Sequence, residues 1–415
     1  MANKKSTKRK SIVAITKGTR KRAKKIIQEG LQLIGGLRSI VKKGDTVLLK
    51  PNMGYPPPPG MPLWTNNTDV LVLRALTELC FEAGAKRVIA GDGCSHGIKA
   101  SYLFPATGVQ EAIEKIGGEI SYFDEEPYLT RDVPGGILLK RQAIPKVVLD
   151  ADVVINVPKI KSTTIGRWTL GFKNLFGLIP QGERSPWHRM PENFYLLADL
   201  MKLVKPALTV MDGLVIKEGV GTPHFGTPVD LGVIIMSKDP VAAEAVAVSV
   251  IGHEPHEQAV LAIAEKYGVG KADLDQIEIR GRSIESVRKS TKVAAGDVYV
   301  NPLPNVVEYV GGACLGCSVW IQNTPYPWEI EKNKTYALVV GGIPRLPEKF
   351  TEDEVIVLGT CAMHSREKIW KACPEGVTPR VINGCPPRED RIPGFLKQHG
   401  METLPLVSPT RYVKE

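Results

Sequence analysis

The sequence predicts an α/β protein with a mainly parallel sheet of Rossmann-like βαβ units, followed by a smaller C-terminal α/β domain. Two observations carry the first part. Short β-branched runs alternate with helical patterns from the start of the chain, and glycine- or proline-rich loops bearing polar residues follow those runs. A third observation sets the end of the chain apart: five of the seven cysteines lie beyond residue 310.

Ile12–Ile15, Thr46–Leu49, Arg87–Ala90 and Asp152–Asn156 read as strands, with helical periodicity over Val70–Ala83 and Gly108–Ile116 between them. Strands that alternate with helices pair in parallel through right-handed crossovers. Ala207–Met211 and Leu231–Met236 continue the strand pattern, and a helix starts near Val241. At Asn301-Pro302-Leu303-Pro304 the pattern resets, as a linker would, and Tyr336–Val340, Val355–Leu358 and Arg380–Ile382 read as strands of a separate unit. The expected division is a disordered basic tail over residues 1–10, a substrate- or cofactor-binding domain over 11–300 with room for two lobes around a cleft, and a small α/β domain over 301–415.

The chain has 415 residues, 43% of them hydrophobic, enough to bury a large core without disulfides. No apolar run of about twenty residues occurs, so no membrane-spanning helix is expected. The N-terminus lacks the apolar stretch of a signal peptide, which points to the cytoplasm, where cysteines stay reduced or bind metal. Net charge is +10, with much of the excess in residues 4–10 and in Lys17, Arg20, Lys21, Arg22, Lys24 and Lys25. That second group reads as the solvated face of a helix. Without interleaved aromatics it does not read as a nucleic-acid surface.

Cys314-Leu315-Gly316-Cys317 is a C-x-x-C, a spacing that lets two thiolates meet one metal or cluster. Cys361 and Cys385 each follow a strand-like run, so two neighbouring parallel strands would deliver them to the same carboxyl edge. Small neighbours such as Gly312, Gly316 and Gly384 let backbone amides approach sulfur. The four cysteines Cys314, Cys317, Cys361 and Cys385 are therefore candidate ligands for a [4Fe–4S] cluster, with structural zinc as the alternative and Cys373 as reserve ligand. Buried structural thiols or a redox disulfide at Cys314/Cys317 are the competing readings. Cys80 reads as core.

A polar set also follows strands in the larger domain. Lys50 and Asn52 end one strand, Asp92 another, Lys159 and Lys161 follow Val157-Pro158, and Lys173-Asn174 stands within the apolar Gly171–Pro180 run. Taken singly, each lysine would snorkel to water. Taken together, converging ammonium groups with amide donors suit a carboxylate, phosphate or acyl phosphate. The catalytic candidates are Lys173, Asn174, Asp92, Cys94 in its glycine-rich loop, and the loop histidine His188. The ligand-binding candidates are Lys50, Asn52, Lys159, Lys161 and Asp212. Asp239 reads as a helix cap, and His253 and His256 read as surface residues. Gly268-Val269-Gly270-Lys271 lacks the Ser/Thr of a P-loop, and no clean dinucleotide fingerprint opens a helix.

Lys50-Pro51-Asn52, the Ala151–Lys161 segment, Lys173-Asn174-Leu175-Phe176-Gly177-Leu178-Ile179-Pro180, Met211-Asp212-Gly213 and Ser237-Lys238-Asp239-Pro240 together resemble the bacterial and archaeal family called domain of unknown function 362, over residues 11–290. Members are often fused to or encoded beside ferredoxin-type cluster modules, which bears on the C-terminal cysteines. This chain departs from the pattern in carrying Ser162-Thr163 where many members have histidine, and in lacking a ferredoxin C-x-x-C-x-x-C run. A fainter similarity to nickel-pincer lactate racemases implies a two-domain α/β architecture with a cleft. It does not carry over the pincer nucleotide, because that family's histidine-rich segments are absent.

The expected function is thus an iron–sulfur protein, an oxidoreductase or electron-transfer component acting on a small anionic substrate or cofactor in a lysine-lined cleft. A ferredoxin-type redox partner and a homo-oligomer are compatible with it, and nucleic acid and membrane are not expected partners. The alternatives are a non-redox metalloenzyme (isomerase or lyase, racemase-like) and a zinc-stabilised, non-catalytic partner protein.

Overall fold

The computed structural model describes residues 10–56, 62–95, 97–163, 166–188, 193–219, 226–293, 305–311, 331, 333–342, 344 and 346–382. The expected basic tail (but for Lys10), the polyproline tip, the Asn301–Pro304 linker and Cys314, Cys317 and Cys385 lie outside the described residues.

β1 (Ser11–Lys17) leads through α1 (Ala23–Leu33) to β2 (Thr46–Pro51), and α2 (Val70–Ala83) leads on to β3 (Arg87–Asp92). α3 (Ala100–Ala106) and α4 (Val109–Glu114) precede β4 (Glu119–Tyr122). A separate hairpin of β5 (Tyr128–Asp132) and β6 (Arg141–Pro145) follows, and α5 (Lys146–Asp150) returns the chain to β7 (Val153–Val157), β8 (Lys159–Ser162) and β9 (Trp168–Thr169). Next come α6 (Gly171–Asn174), α7 (Gln181–His188), α8 (Asn193–Val204) and two long strands, β10 (Leu208–Glu218) and β11 (Thr227–Ser237). α9 (Pro240–Val250), α10 (Ala259–Lys266), β12 (Ile277–Gly281) and α11 (Ile284–Val287) complete the larger unit. The smaller unit comprises β13 (Val306–Val310), β14 (Tyr336–Val340), β15 (Glu354–Leu358), α12 (Arg366–Ala372) and β16 (Arg380–Ile382).

The main sheet runs β12-β1-β11-β10-β7-β2-β3-β4, with β8 beside β10 and β9 beside β8. From β10 to β4 every pairing is parallel, as the alternating pattern predicts. The sheet turns antiparallel at β10–β11 and β11–β1. β10 ends at Glu218 and β11 begins at Thr227, a separation shorter than the dozen or more residues that a parallel crossover needs, and the two strands pair directly. The helix ends obey local chemistry. Asp69 caps α2 by accepting from the Leu71 amide, and Gly84 closes it at φ 114°. Asp239 caps α9, accepting from Val241 N and Ala242 N, with Pro240 opening the helix.

Two apolar layers cover the sheet. α1 and α2 bury Ile26, Ile27, Leu73 and Leu76 with Val47 and Leu49 on one side. On the other, α8, α9 and α10 pack over Ile15, Leu48 and Ile235. α9 is apolar nearly all round and buried from Val241 to Val250, as a helix with no wet face must be. Lys17, Lys21, Arg22 and Lys25 are exposed, as a solvated face should be, while Arg20 and Lys24 are half-buried in ion pairs. Arg20 pairs with Asp69 and stacks 3.5 Å over the Trp64 ring, and Lys24 lies 2.7 Å from Glu78. Among the described residues no helix is long and apolar enough to cross a membrane.

In the smaller unit the order is β13-β14-β15-β16, parallel throughout. β13 is an addition to the strands read from the sequence. Buried Asp199 of α8 ties the β5–β6 connection to the core, accepting from the Ile137, Leu138 and Leu139 amides at 2.7, 2.7 and 2.8 Å. Asp199→Ala strands one buried and two half-buried amide donors and is expected to cost about 2–4 kcal/mol. Urea denaturation checks this: a loss below about 0.5 kcal/mol would show that water replaces the carboxylate.

Candidate functional site

β2 and β3 run side by side, with Lys50 the penultimate residue of β2 and Asp92 the last of β3. Lys50 is 1% exposed and its Nζ lies 2.5 Å from Oδ1 of Asp92, itself 2% exposed. Lys50 also donates to Pro51 O at 2.8 Å, while Asp92 Oδ2 accepts from Met53 N at 2.7 Å. Burial pushes the ammonium down and the carboxyl up from their ordinary values, and their mutual attraction opposes both shifts. Gly177 makes the close fit achievable: a Cβ there would collide with Asp92 Oδ1 and stand 3.2 Å from Lys50 Nζ.

The next strand over supplies a second pair. Proline at 158 has no amide to continue the β7 ladder, and its carbonyl accepts from Asp212 N at 2.8 Å. The chain resumes as β8, which pairs with the far half of β10, Asp212 facing Lys159 and Lys217 facing Lys161. Lys159 Nζ and Asp212 Oδ2, both fully buried, are 2.8 Å apart. Asp212 also accepts from the Asp69 amide at 2.8 Å and the Leu214 amide at 3.1 Å. Lys161 and Lys217 converge on Asn66, Lys161 donating to its carbonyl at 2.6 Å and Lys217 to its side-chain oxygen. Lys50, Lys159 and Lys161 are buried rather than snorkelling to water, in line with the reading of the set as converging, and Lys217, not singled out in the sequence, is buried with them.

α6 presents Lys173 and Asn174. Asn174 Nδ2 donates to Lys50 O at 3.0 Å and Asn156 Oδ1 at 2.8 Å, and its Oδ1 accepts from Asn52 Nδ2 at 3.1 Å. Asn156 in turn donates to Gly171 O at 2.9 Å. The start of α6 is held by Glu244, the one charged residue of α9, which accepts from Phe172 N at 2.9 Å. Full burial pushes its carboxyl up to about 7. Sequence reasoning missed Glu244, although a lone carboxylate in so apolar a helix is a visible signal.

These elements enclose a cavity of about 240 Å³ lined by Asn52, Met53, Gly54, Tyr55, Asp92, Lys161, Lys173, Asn174, Phe176 and His188, among others. His188 is the last residue of α7 rather than a loop residue. Its ring stacks on Phe176 at 4.1 Å and 18°, and its Nε2 is 3.2 Å from Lys173 Nζ. Burial, then Lys173 and Arg184, hold the imidazole well below its ordinary range, leaving it a neutral base. Arg184, also missed from the sequence, spans the wall. It makes a two-armed pair with Asp124 (2.7 and 3.0 Å) and donates to Gly177 O at 3.0 Å and to Cys94 O. Cys94 lines the cavity at 1% exposure with its carbonyl held by Arg184, and burial beside Asp92 and Asp124 raises its thiol, which argues against a nucleophile.

Sequence-predicted Lys50, Asn52, Asp92, Cys94, Lys159, Lys161, Lys173, Asn174, His188 and Asp212 are thereby brought to one sheet edge. His253 is less exposed than expected, with its Nδ1 3.4 Å from Glu257, whereas His256 is exposed as expected and meets His364 with ring centroids 5.1 Å apart. Cys80 is core, as expected. Cys361 directly follows the β15 edge, buried at 6%. Cys373 is a structural thiol in the small core, donating to Ile369 O at 3.2 Å. Among the described residues no three His, Cys, Asp or Glu side chains are grouped to hold a metal ion.

A family model described as Domain of unknown function (DUF362) matches residues 47–249. The thylakoid-associated protein sll1697 of Synechocystis sp. is 32% identical over 248 residues, covering 58% of this chain and 73% of that protein. Among solved structures, the lactate racemase apoprotein from Thermoanaerobacterium thermosaccharolyticum is similar at 14% identity, over 57% of each chain, with TM-score 0.35. A protein from Thermotoga maritima is similar at 11% identity, over 51% of this chain and 54% of that one, with TM-score 0.32. The chain spans little more than half the length of either solved structure.

Asp212→Ala leaves a buried ammonium and two amides without their acceptor and is expected to cost about 3–5 kcal/mol. Lys159→Met leaves the carboxylate its two amide donors and should cost less. Chemical denaturation of both variants checks the ranking, and the reverse order would contradict it.

Proposed function

We propose, for a chain that belongs to the Domain of unknown function (DUF362) family, that the cavity binds and acts on a small anionic substrate, a hydroxy- or oxo-carboxylate. The observation that carries this is the division of charge around the cavity. Asp92, Asp212 and Asp124 are engaged by Lys50, Lys159 and Arg184, while Lys173 brings positive charge to the wall and Lys161 a hydrogen-bonding amine. Asn52 Oδ1, a buried acceptor with no hydrogen-bond partner, lines the same space and fits a ligand hydroxyl. The volume lies below the ~300–1,000 Å³ of sites for drug-sized ligands, which favours a small metabolite.

In this reading Lys173 holds the carboxylate and, with it, negative charge that develops on the substrate. His188, neutral and within reach of Lys173, takes or returns a proton at its Nε2. Phe176 and Met53 keep water from the reacting atoms. Asn174 and Glu244 position α6 so that Lys173 meets the ligand.

We further propose that the smaller unit holds a [4Fe–4S] cluster, making the chain an iron–sulfur oxidoreductase or electron-transfer component of a reducing compartment. What supports this is the parallel sheet. β13, β15 and β16 end on one edge, and the sequence places Cys314, Cys361 and Cys385 within four residues of those ends. At ~3.4 Å per extended residue, three or four residues beyond a strand end are enough chain to span neighbouring strands ~4.8 Å apart. Such a cluster would supply one-electron chemistry. Zinc on the same cysteines would leave the cavity an isomerase or lyase of acid–base type.

Calorimetry with glycolate, lactate and acetate tests the cavity. Lys173→Met should weaken all three about tenfold or more, and Asn52→Leu should remove the preference for glycolate over acetate. Binding that neither variant alters would place the ligand elsewhere. For the second proposal, anaerobically purified protein should carry about four irons and four acid-labile sulfides per chain, lost in Cys361→Ser. Stoichiometric zinc would overturn the redox reading.

A further inference from the structure

Of the buried lysines around the cavity, Lys161 stands apart in its surroundings. Lys50 and Lys159 are held on carboxylates at 2.5 and 2.8 Å. Lys173 Nζ faces His188 Nε2 and lies 5.4 Å over the Phe176 ring. Lys217 is not among the residues of the cavity wall. Lys161 is in that wall and 5% exposed, with Nζ directed by one hydrogen bond to the Asn66 carbonyl. Its other neighbours include Lys217, Lys159 and Lys173, and after burial these like charges are what push its ammonium well below the ordinary range. A neutral amine is the nucleophilic form of lysine.

The wall is open in front of that amine. A Cβ on Gly54 would stand 3.3 Å from Lys161 Nζ and 3.6 Å from Ser95 Oγ, so the glycine leaves between an amine and a hydroxyl the space that any other residue would fill.

We propose that Lys161 is a covalent catalyst whose amine condenses with the carbonyl of a small 2-oxo acid to form an imine. This rests on the reading of the cavity as a carboxylate site and names its substrate class. The nitrogen lone pair adds to the carbonyl carbon, giving a carbinolamine. One nitrogen proton passes to the alkoxide oxygen to make that carbinolamine's hydroxyl, the hydroxyl then leaves as water with a proton from Lys173, and nitrogen keeps its last proton, so one neutral amine, one carbonyl and one proton become one protonated imine plus one water. The substrate must carry a carboxylate as well as a carbonyl. A protonated imine among Lys159, Lys173 and Lys217 is a further buried cation, and only a ligand with its own negative charge offsets it.

Incubation with pyruvate and sodium cyanoborohydride, then peptide mass spectrometry, tests this. The expected result is one reduced adduct per chain, on Lys161, saturable with pyruvate, suppressed by excess oxalate and absent in Lys161→Arg. Gly54→Ala, which keeps every lysine but fills the space in front of Lys161, should cut labelling about tenfold. Adducts spread over surface lysines, or equal labelling of Gly54→Ala, would overturn the assignment. Oxalate binding without a Lys161 adduct would end the imine proposal and leave the carboxylate site standing; absence of both would end both.

Discussion

The burial of lysine ammonium groups at the carboxyl edge of the main sheet is the constraint from which the rest of this structure follows. An ammonium removed from water carries a desolvation penalty of several kcal/mol unless a carboxylate and further hydrogen bonds compensate it. Lys50 therefore meets Asp92, and Lys159 meets Asp212. Each carboxylate is in turn held by backbone amides, Met53 for one and Asp69 and Leu214 for the other. Through Asp69, which caps α2 and pairs with Arg20, the second ion pair reaches the protein surface. The charge balance of the edge and the placement of its helices are one problem with one solution.

The local geometry follows from a few sequence choices. Pro158 ends β7 and lets β8 run along the extension of β10, so that Lys159 and Lys161 meet Asp212 and Lys217 in register. The same β8–β9 hairpin turns through Arg167, at φ 63°, which pairs with Glu257 at 2.6 Å. Arg167 Nη1 is 3.2 Å from where a Cβ on Gly342 would stand, a point 3.8 Å from Cys361 Cβ. One hairpin thus touches both the cavity and the edge of the smaller sheet that carries Cys361, a physical link between the two parts of the proposed function.

Much of this was legible in the sequence because it is local. The strand-end positions of Lys50, Asp92 and Lys159 and the cap at Asp239 depend on period and on neighbouring residues, and α2 falls where its apolar spacing places it. What escaped was long-range. Arg184 acts on Asp124, sixty positions away, and Glu244 reaches back 72 positions to the start of α6. Neither pairing leaves a trace in a sequence window. The antiparallel β10–β11 and β11–β1 contacts likewise depend on where a strand lands in the sheet. The lysines gather as the set reading expected rather than snorkelling singly, since burial leaves Lys50, Lys159 and Lys161 no path to water.

The central claim is that the cavity receives a small carboxylate between Lys161 and Lys173. A crystal structure grown with glycolate tests it most directly. The account predicts the glycolate carboxylate within hydrogen-bond distance of a lysine Nζ in the cavity and its hydroxyl on Asn52 Oδ1. A cavity holding only water, with glycolate absent or bound at the surface, would contradict it.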